Sequence, residues 1–138
     1  MKYVYIILFL LIGYIAKSQN IPFQQTKNWK IYLIKDRNKF NYSVDTLKNF
    51  KNHTLNSDSI LFFFRSVSNL GQMSSPAWMG SHVITYELQN VVRKLDVSVY
   101  GGFFYDETTH AYYQVGEPNA KQWLEYLANC VTYLQQIN

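Results

Sequence analysis

The feature that most constrains this chain is a continuous apolar stripe close to its C-terminus. Apolar residues recur there at the three- and four-residue spacing of one helical face: Ala120, Trp123, Leu124, Leu127, Cys130, Val131, Leu134 and Ile137. Polar residues such as Lys121 and Glu125 fall on the opposite side. A helix with one apolar face is stable only when that face packs on another layer. The pattern therefore predicts an amphipathic helix that begins after Glu117-Pro118-Asn119 and covers a sheet.

Four segments before this helix alternate apolar and polar residues with the period of two that is typical of strands. They are Trp29–Ile34, His82–Leu88, Lys94–Tyr105 and His110–Val115. Gly101-Gly102 interrupts the third segment, which indicates a bulge or a sharp bend within one strand. Asp106 to Thr109 has the length of a tight hairpin loop between the third and fourth segments.

Two shorter helices are predicted between the first and second strands. Ser43 stands where an N-cap would stand, before a helix from about Val44 to Asn52. A second capping cluster at 56–59 precedes apolar residues from Ile60 to Leu70, and Gly71 follows in the position of a C-cap. A strand through Ile60 to Phe64 is the alternative, because a short apolar run is ambiguous by periodicity.

These elements predict an α+β fold in the order β-α-α-β-β-β-α, with an antiparallel sheet of about four strands and the helices packed on one face. The composition agrees with a packed core, since 48% of the residues are hydrophobic and 16% are charged. A length of 138 residues without internal repeat or linker predicts a single domain.

The N-terminal residues resemble an export signal rather than part of the fold. Met1-Lys2 is a basic start, Tyr3 to Ile15 is a thirteen-residue run without charge, and Ala16-Lys17-Ser18 places small residues where a signal peptidase cleaves. The run is shorter than the roughly 20 residues that span a bilayer. We therefore predict a signal peptide over 1–18, a mature domain over 19–138, and a periplasmic or secreted location. A retained N-terminal anchor is the alternative.

Charge and cysteine content exclude several classes of protein. Loss of Lys2 and Lys17 leaves 11 basic residues against 9 acidic ones, a net charge of +2 instead of +4. Without a dense basic stripe, nucleic acid is excluded as a partner. Cys130 is the single cysteine and lies in the apolar stripe, so it is predicted to be a buried thiol. No spacing of His, Cys and carboxylates matches a metal or cofactor motif, and we expect neither.

The hairpin around residues 105–113 is the candidate site. Aromatic residues crowd it and the strand before it: Tyr100, Phe103, Phe104, Tyr105, Tyr112 and Tyr113. Because strand side chains alternate, these rings cannot all face one core, and tyrosine suits contact with a protein or a sugar. We predict a binding site at Tyr105, Asp106, Glu107, His110 and Tyr112, whose two carboxylates would steer a basic partner. The alternative is that the aromatic hairpin is core.

The chain carries a predicted export signal, is small and lacks a catalytic motif. We therefore interpret it as an exported, non-enzymatic binding module. Its expected partner is an envelope or secreted protein. The chain would then be an immunity protein that neutralises a toxin, or an inhibitor of a wall-degrading enzyme. One competing hypothesis is a structural envelope protein with no discrete ligand. The other is a small envelope hydrolase or carbohydrate-processing enzyme that uses Asp106, Glu107 or His110. Carboxylates and an imidazole so close in sequence are able to share a proton across a turn.

Overall fold

The computed structural model describes residues 20–72, 80–98 and 102–137. Its centre is a seven-stranded antiparallel sheet with the strand order β2-β1-β4-β5-β6-β7-β3. The strands are β1 (Lys27–Tyr32), β2 (Asn52–Thr54), β3 (Val67–Gly71), β4 (Gly80–Leu88), β5 (Val91–Ser98), β6 (Phe103–Asp106) and β7 (Ala111–Val115). The helices are α1 (Val44–Leu47), α2 (Ser57–Phe63) and α3 (Asn119–Gln136), with 3-10 turns at Phe23–Gln25, Lys39–Asn41 and Phe64–Ser66.

The prediction of about four strands is wrong, because the sheet gains three strands from two different sources. The segment Lys94–Tyr105 is two antiparallel strands, β5 and β6, in which Val97 pairs with Phe104. Gly102 helps to reverse the chain between them: its φ is +69°, and an added Cβ would lie 2.8 Å from the Val115 carbonyl oxygen. The two other additional strands, β2 and β3, are short and form the two edges of the sheet.

Both short helices end earlier than predicted, and turns followed by strands take up the remainder. The caps themselves are confirmed, since the side chains of Ser43 and Asn56 accept hydrogen bonds from Thr46 N and Ser59 N. However, α1 stops at Leu47, and α2 gives way to a 3-10 turn and then to β3. The predicted helical stretch through Leu70 fails because pairing of β3 with β7 outweighs the local helical spacing.

The core lies between α2, α3 and one face of the sheet, which we call the core face. Trp123 and Leu127 of α3 are fully buried there against Trp29, Ile84 and other inward-facing strand residues. The C-terminal helix is thus confirmed with nearly the predicted bounds, and Cys130 is buried on its inner side. Among the described residues, no helix is long and apolar enough to cross a membrane.

The described residues cover only part of the opposite face, here called the second face. Leu47 of α1 packs there on Tyr32, Ile34 and Val83, with Phe40 at the margin, and forms a smaller cluster over β1 and β4. The prediction that all helices pack on one face is therefore wrong for α1. Because α1 and the 3-10 turn before it cover the β1–β4 side, the β6–β7 side of the second face extends beyond them.

Two predictions fall outside the described residues. These are the signal peptide over 1–18 and the placement of the aromatic side chain of Tyr100.

Candidate functional site

The hairpin of β6 and β7 sorts its aromatic residues onto the two faces of the sheet. Phe104 and Tyr113 point to the core face with exposures of 0% and 1%, and their rings stack with centroids 5.2 Å apart. Tyr105 and Tyr112 are cross-strand partners on the second face and are partly exposed. The alternation follows from the period of two in each strand. The hairpin is therefore core on one side and surface on the other.

Tyr105 and Tyr112 form the centre of the surface that we call the tyrosine face. It consists of Phe103, Tyr105, Tyr112 and Gln114, all partly exposed, with His110 at the hairpin tip. The rings of Tyr105 and Tyr112 lie with centroids 4.9 Å apart, and the Tyr105 hydroxyl lies 3.1 Å from His110 Nδ1 in a hydrogen bond. Three of the five predicted site residues thus meet on one surface.

The tyrosine face keeps a neutral hydroxyl group at Tyr105. Partial burial raises the pKa of this phenol above its ordinary value, and the neighbouring Tyr112 and Glu107 raise it further. The Tyr105 oxygen therefore stays protonated at neutral pH and remains able to donate or accept a hydrogen bond.

Asp106 does not join the tyrosine face. It is fully buried on the other side of the hairpin, where its carboxylate accepts hydrogen bonds from the backbone N–H and the hydroxyl of Thr109, at 3.1 and 2.6 Å. Its other oxygen lies 3.4 Å from Thr108 N and 3.5 Å from the Tyr86 hydroxyl. Asp106 therefore closes the turn and holds it to the core.

Glu107 is bonded to a buried lysine that the sequence interpretation did not single out. Lys94 Nζ lies 2.6 Å from Glu107 Oε1, and its side chain is 2% exposed. The same ammonium donates to the carbonyl oxygens of Phe40 and Tyr42, at 2.6 and 2.9 Å. All three of its protons have acceptors, as the burial of an ammonium requires. Lys94 therefore fastens the segment before α1 to the β5–β6 part of the sheet.

Asp96 is the second residue that sequence reasoning missed. It lies on β5 as the partner of Tyr105, and its Oδ1 is 3.8 Å from Lys94 Nζ without a hydrogen bond of its own. Burial raises the pKa of Asp96 to about 7; Lys94 opposes this rise, and the nearby charge and hydrogen bond of Glu107 add to it. This carboxyl group is therefore partly protonated near neutral pH.

In the sequence, the polar residues Lys94 and Asp96 alternate with apolar ones, which is the pattern of a strand with one solvent-facing side. The two residues are spaced i, i+2, so both must lie on one face of β5. The segment containing Phe40 and Tyr42, more than fifty positions earlier in the chain, supplies two carbonyl oxygens that accept hydrogen bonds from Lys94 on that face. The i, i+2 pairing of opposite charges was the available signal, and it does not report burial.

Other clefts in the described part of the chain are less closely tied to chemistry. A groove of about 630 Å³ lies beside the 3-10 turn at Phe23–Gln25 and is lined mainly by Phe23, Leu61, Phe64 and Arg65. No group of three or more His, Cys, Asp or Glu side chains in the described ranges is arranged to hold a metal ion.

Comparison of the whole chain with known protein families, with curated proteins and with solved structures gives no match. We therefore infer the function from the geometry of the tyrosine face and its surroundings.

Proposed function

We propose that the chain is an exported, non-enzymatic binding module whose tyrosine face contacts a protein partner in the cell envelope. An immunity protein that neutralises a toxin, or an inhibitor of a wall-degrading enzyme, would act in this way. The observation that carries the proposal is the Tyr105–Tyr112 pair, partly exposed on the sheet face opposite α2 and α3.

The energetics of interfaces favour this kind of surface. Tyrosine offers a large apolar ring and one polar group while it loses little rotamer entropy, and it is enriched among the residues that dominate binding energy. The cross-strand ring contact and the Tyr105–His110 hydrogen bond already hold the side chain in place. Such pre-organisation lowers the entropic cost of association.

The charges at the hairpin contribute less to recognition than the sequence suggested. Asp106 is buried in the turn and Glu107 is paired with Lys94, so both carboxylates already have partners within the protein. The proposed contact is accordingly made by aromatic rings and hydroxyl groups, and steering of a basic partner by Asp106 and Glu107 is no longer part of the proposal.

The hydrolase alternative receives less support from the same geometry. Asp106 and Glu107 engage different partners on different sides of the hairpin, and His110 is bonded to Tyr105. A general acid and base must both reach one reacting group. The three side chains of the predicted catalytic set do not converge in this way.

A photo-crosslinking experiment tests the proposal. Benzoylphenylalanine replaces Phe103 on the tyrosine face, and a matched variant carries it in place of Tyr133, which is 51% exposed on α3. After irradiation in the envelope fraction, the crosslinked protein is identified by mass spectrometry, purified and mixed with the unmodified chain. We expect a crosslink from position 103 alone and a stoichiometric complex without turnover. Equal crosslinking from both positions, or chemical conversion of the partner, would contradict the proposal.

A further inference from the structure

A second concave site lies on the second face, beside α1. This pocket, about 380 Å³ in volume, is formed by β1, β4 and β5 below and by α1 above. We call it the α1 pocket; the lining residues that matter are Lys30, Tyr32, Val44, Lys48, Thr85 and Val92. Its volume falls within the range of small-molecule sites.

The floor of the α1 pocket carries two buried hydroxyl groups. Tyr32 and Thr85 are 8% and 1% exposed, and their hydroxyl oxygens lie 3.2 Å apart in one hydrogen bond. Two hydroxyls supply two protons, and this bond uses one of them. Within the described residues the second proton has no acceptor beyond this pair. Because buried donors are nearly always paired, the floor suits a molecule that brings an acceptor oxygen.

The charged residues that line the α1 pocket, counted together with their ion-pair partners, have a net charge of +1. Glu87 pairs with Lys27 at 3.2 Å, and Lys48 pairs with Asp45 at 2.6 Å. Lys30 has no ion pair among the described residues, although it lines the pocket. The excess charge of +1 favours an anion over a neutral molecule, and a monoanion neutralises it.

The walls are apolar where the floor is polar. Val44 of α1 and Val92 of β5 line the pocket, and Val92 is 43% exposed. An exposed valine beside a cavity gains by covering its methyl groups. We propose that the α1 pocket binds a small organic carboxylate, with the carboxylate at Lys30 and the Tyr32–Thr85 hydroxyls and with an apolar body between Val44 and Val92. This site is separate from the tyrosine face.

Benzoate is the probe for this proposal, and benzamide is its neutral isostere. Each is titrated at constant ionic strength while the methyl signals of Val44 and Val92 are followed by NMR. We expect saturable shifts with benzoate and little change with benzamide or with chloride. Equal shifts with benzamide or chloride, or no saturable shift with benzoate, would overturn the proposal.

Two substitutions locate the binding site. Lys30→Gln and Tyr32→Phe are each expected to weaken benzoate binding at least about tenfold, because each removes a charged or hydrogen-bonded contact. Lys121→Gln on α3 is the matched control and should leave the affinity unchanged. Folding of every variant is checked by its methyl spectrum without benzoate. If the folded Lys30→Gln and Tyr32→Phe variants both bind benzoate as the parent does, the carboxylate is not held as proposed.

Discussion

Lys94 Nζ lies 2.6 Å from Glu107 Oε1, in a contact that joins β5 to the hairpin that carries the tyrosine face. The same nitrogen bonds to the carbonyls of Phe40 and Tyr42, so one side chain connects three separate segments. A buried lysine in this position is stable only while all its partners remain. Lys94 therefore supports the hairpin that carries the tyrosine face, and its replacement should lower the free energy of unfolding.

Lys94→Met is expected to destabilise the protein by about 3–5 kcal/mol, because it leaves the Asp96 and Glu107 carboxyl groups without their cation. Urea unfolding near neutral pH measures this loss. Lys121→Met is the control: Lys121 is 80% exposed and lies 3.8 Å from Glu125, so its loss should cost less than about 1 kcal/mol. Similar unfolding midpoints for the two variants would show that the Lys94 contacts carry no net stability.

Asp96→Asn is expected to change how stability depends on pH. Burial raises the folded-state pKa of Asp96 from 3.8 to about 7. Between these values the folded protein binds more protons than the unfolded chain. The contribution of Asp96 to the unfolding free energy therefore falls as pH rises from about 4 to about 7, by at most about 1.4 kcal/mol per pH unit. Asparagine does not titrate, so this decline should disappear.

His82 must be separated from that measurement because its contribution has the opposite sign. Burial, with the charge of Lys39, lowers the pKa of His82 from 6.5 to about 4. The unfolded chain then binds more protons in this range, and the His82 contribution rises with pH. The comparison is therefore the difference between parent and Asp96→Asn at each pH, in which His82 cancels. A difference that stays constant from pH 4 to 7 would contradict the assignment to Asp96.

Sequence reasoning identified the elements in which one periodic pattern of apolar and polar residues continues along the whole element. The stripe from Ala120 to Leu134 repeats over several turns, and α3 follows it nearly to the residue. The alternation in β6 and β7 likewise sorts Phe104 from Tyr105 correctly. In both cases local pattern and tertiary burial agree, which is the condition under which a pattern predicts structure.

The elements that were missed depend on partners far away in the chain. Asn52–Thr54 is too short and too polar to show a strand period, and it becomes β2 because it pairs with β1. Val67–Gly71 extends a helical spacing but pairs with β7. The ammonium of Lys94 is buried with acceptors from the segment at Phe40 and Tyr42, more than fifty positions earlier in the chain. A local pattern does not contain this information.

Cys130 should react slowly with thiol reagents until the protein unfolds. The residue is 8% exposed, and burial raises the pKa of its thiol, so little thiolate is present at neutral pH. Cys130→Ser should cost on the order of 1 kcal/mol, near the low end for a buried hydroxyl, because Tyr126 is within hydrogen-bond reach. Labelling with dithionitrobenzoate, with and without urea, measures the first effect. Equal rates in both conditions would show that the inner side of α3 is open to solvent.

Processing of the N-terminus is predicted to leave a mature chain that begins at Gln19. The basic start, the apolar run and Ala16-Lys17-Ser18 are the basis of this expectation. Intact-mass spectrometry of the protein from an envelope fraction should give the mass of residues 19–138. Recovery of the chain with Met1 still present would favour the retained anchor.

We propose that Tyr105 and Tyr112 form a binding surface although they lie in the same hairpin as the core residues Phe104 and Tyr113. The variant Tyr105→Ala/Tyr112→Ala therefore separates binding from folding. Truncation of aromatic anchors at an interface costs about 2 kcal/mol or more of binding energy. Truncation of a buried ring costs about 3–5 kcal/mol of stability, so Phe104→Ala is the reference for core behaviour.

The decisive measurement is a calorimetric titration of the double variant with the purified partner that the crosslinking experiment identifies, together with the thermal melt of the variant. We predict that Tyr105→Ala/Tyr112→Ala melts within a few degrees of the parent and loses detectable binding, while Tyr133→Ala binds normally. A double variant that melts as far below the parent as Phe104→Ala, or one that binds the partner with parental affinity, would contradict the account.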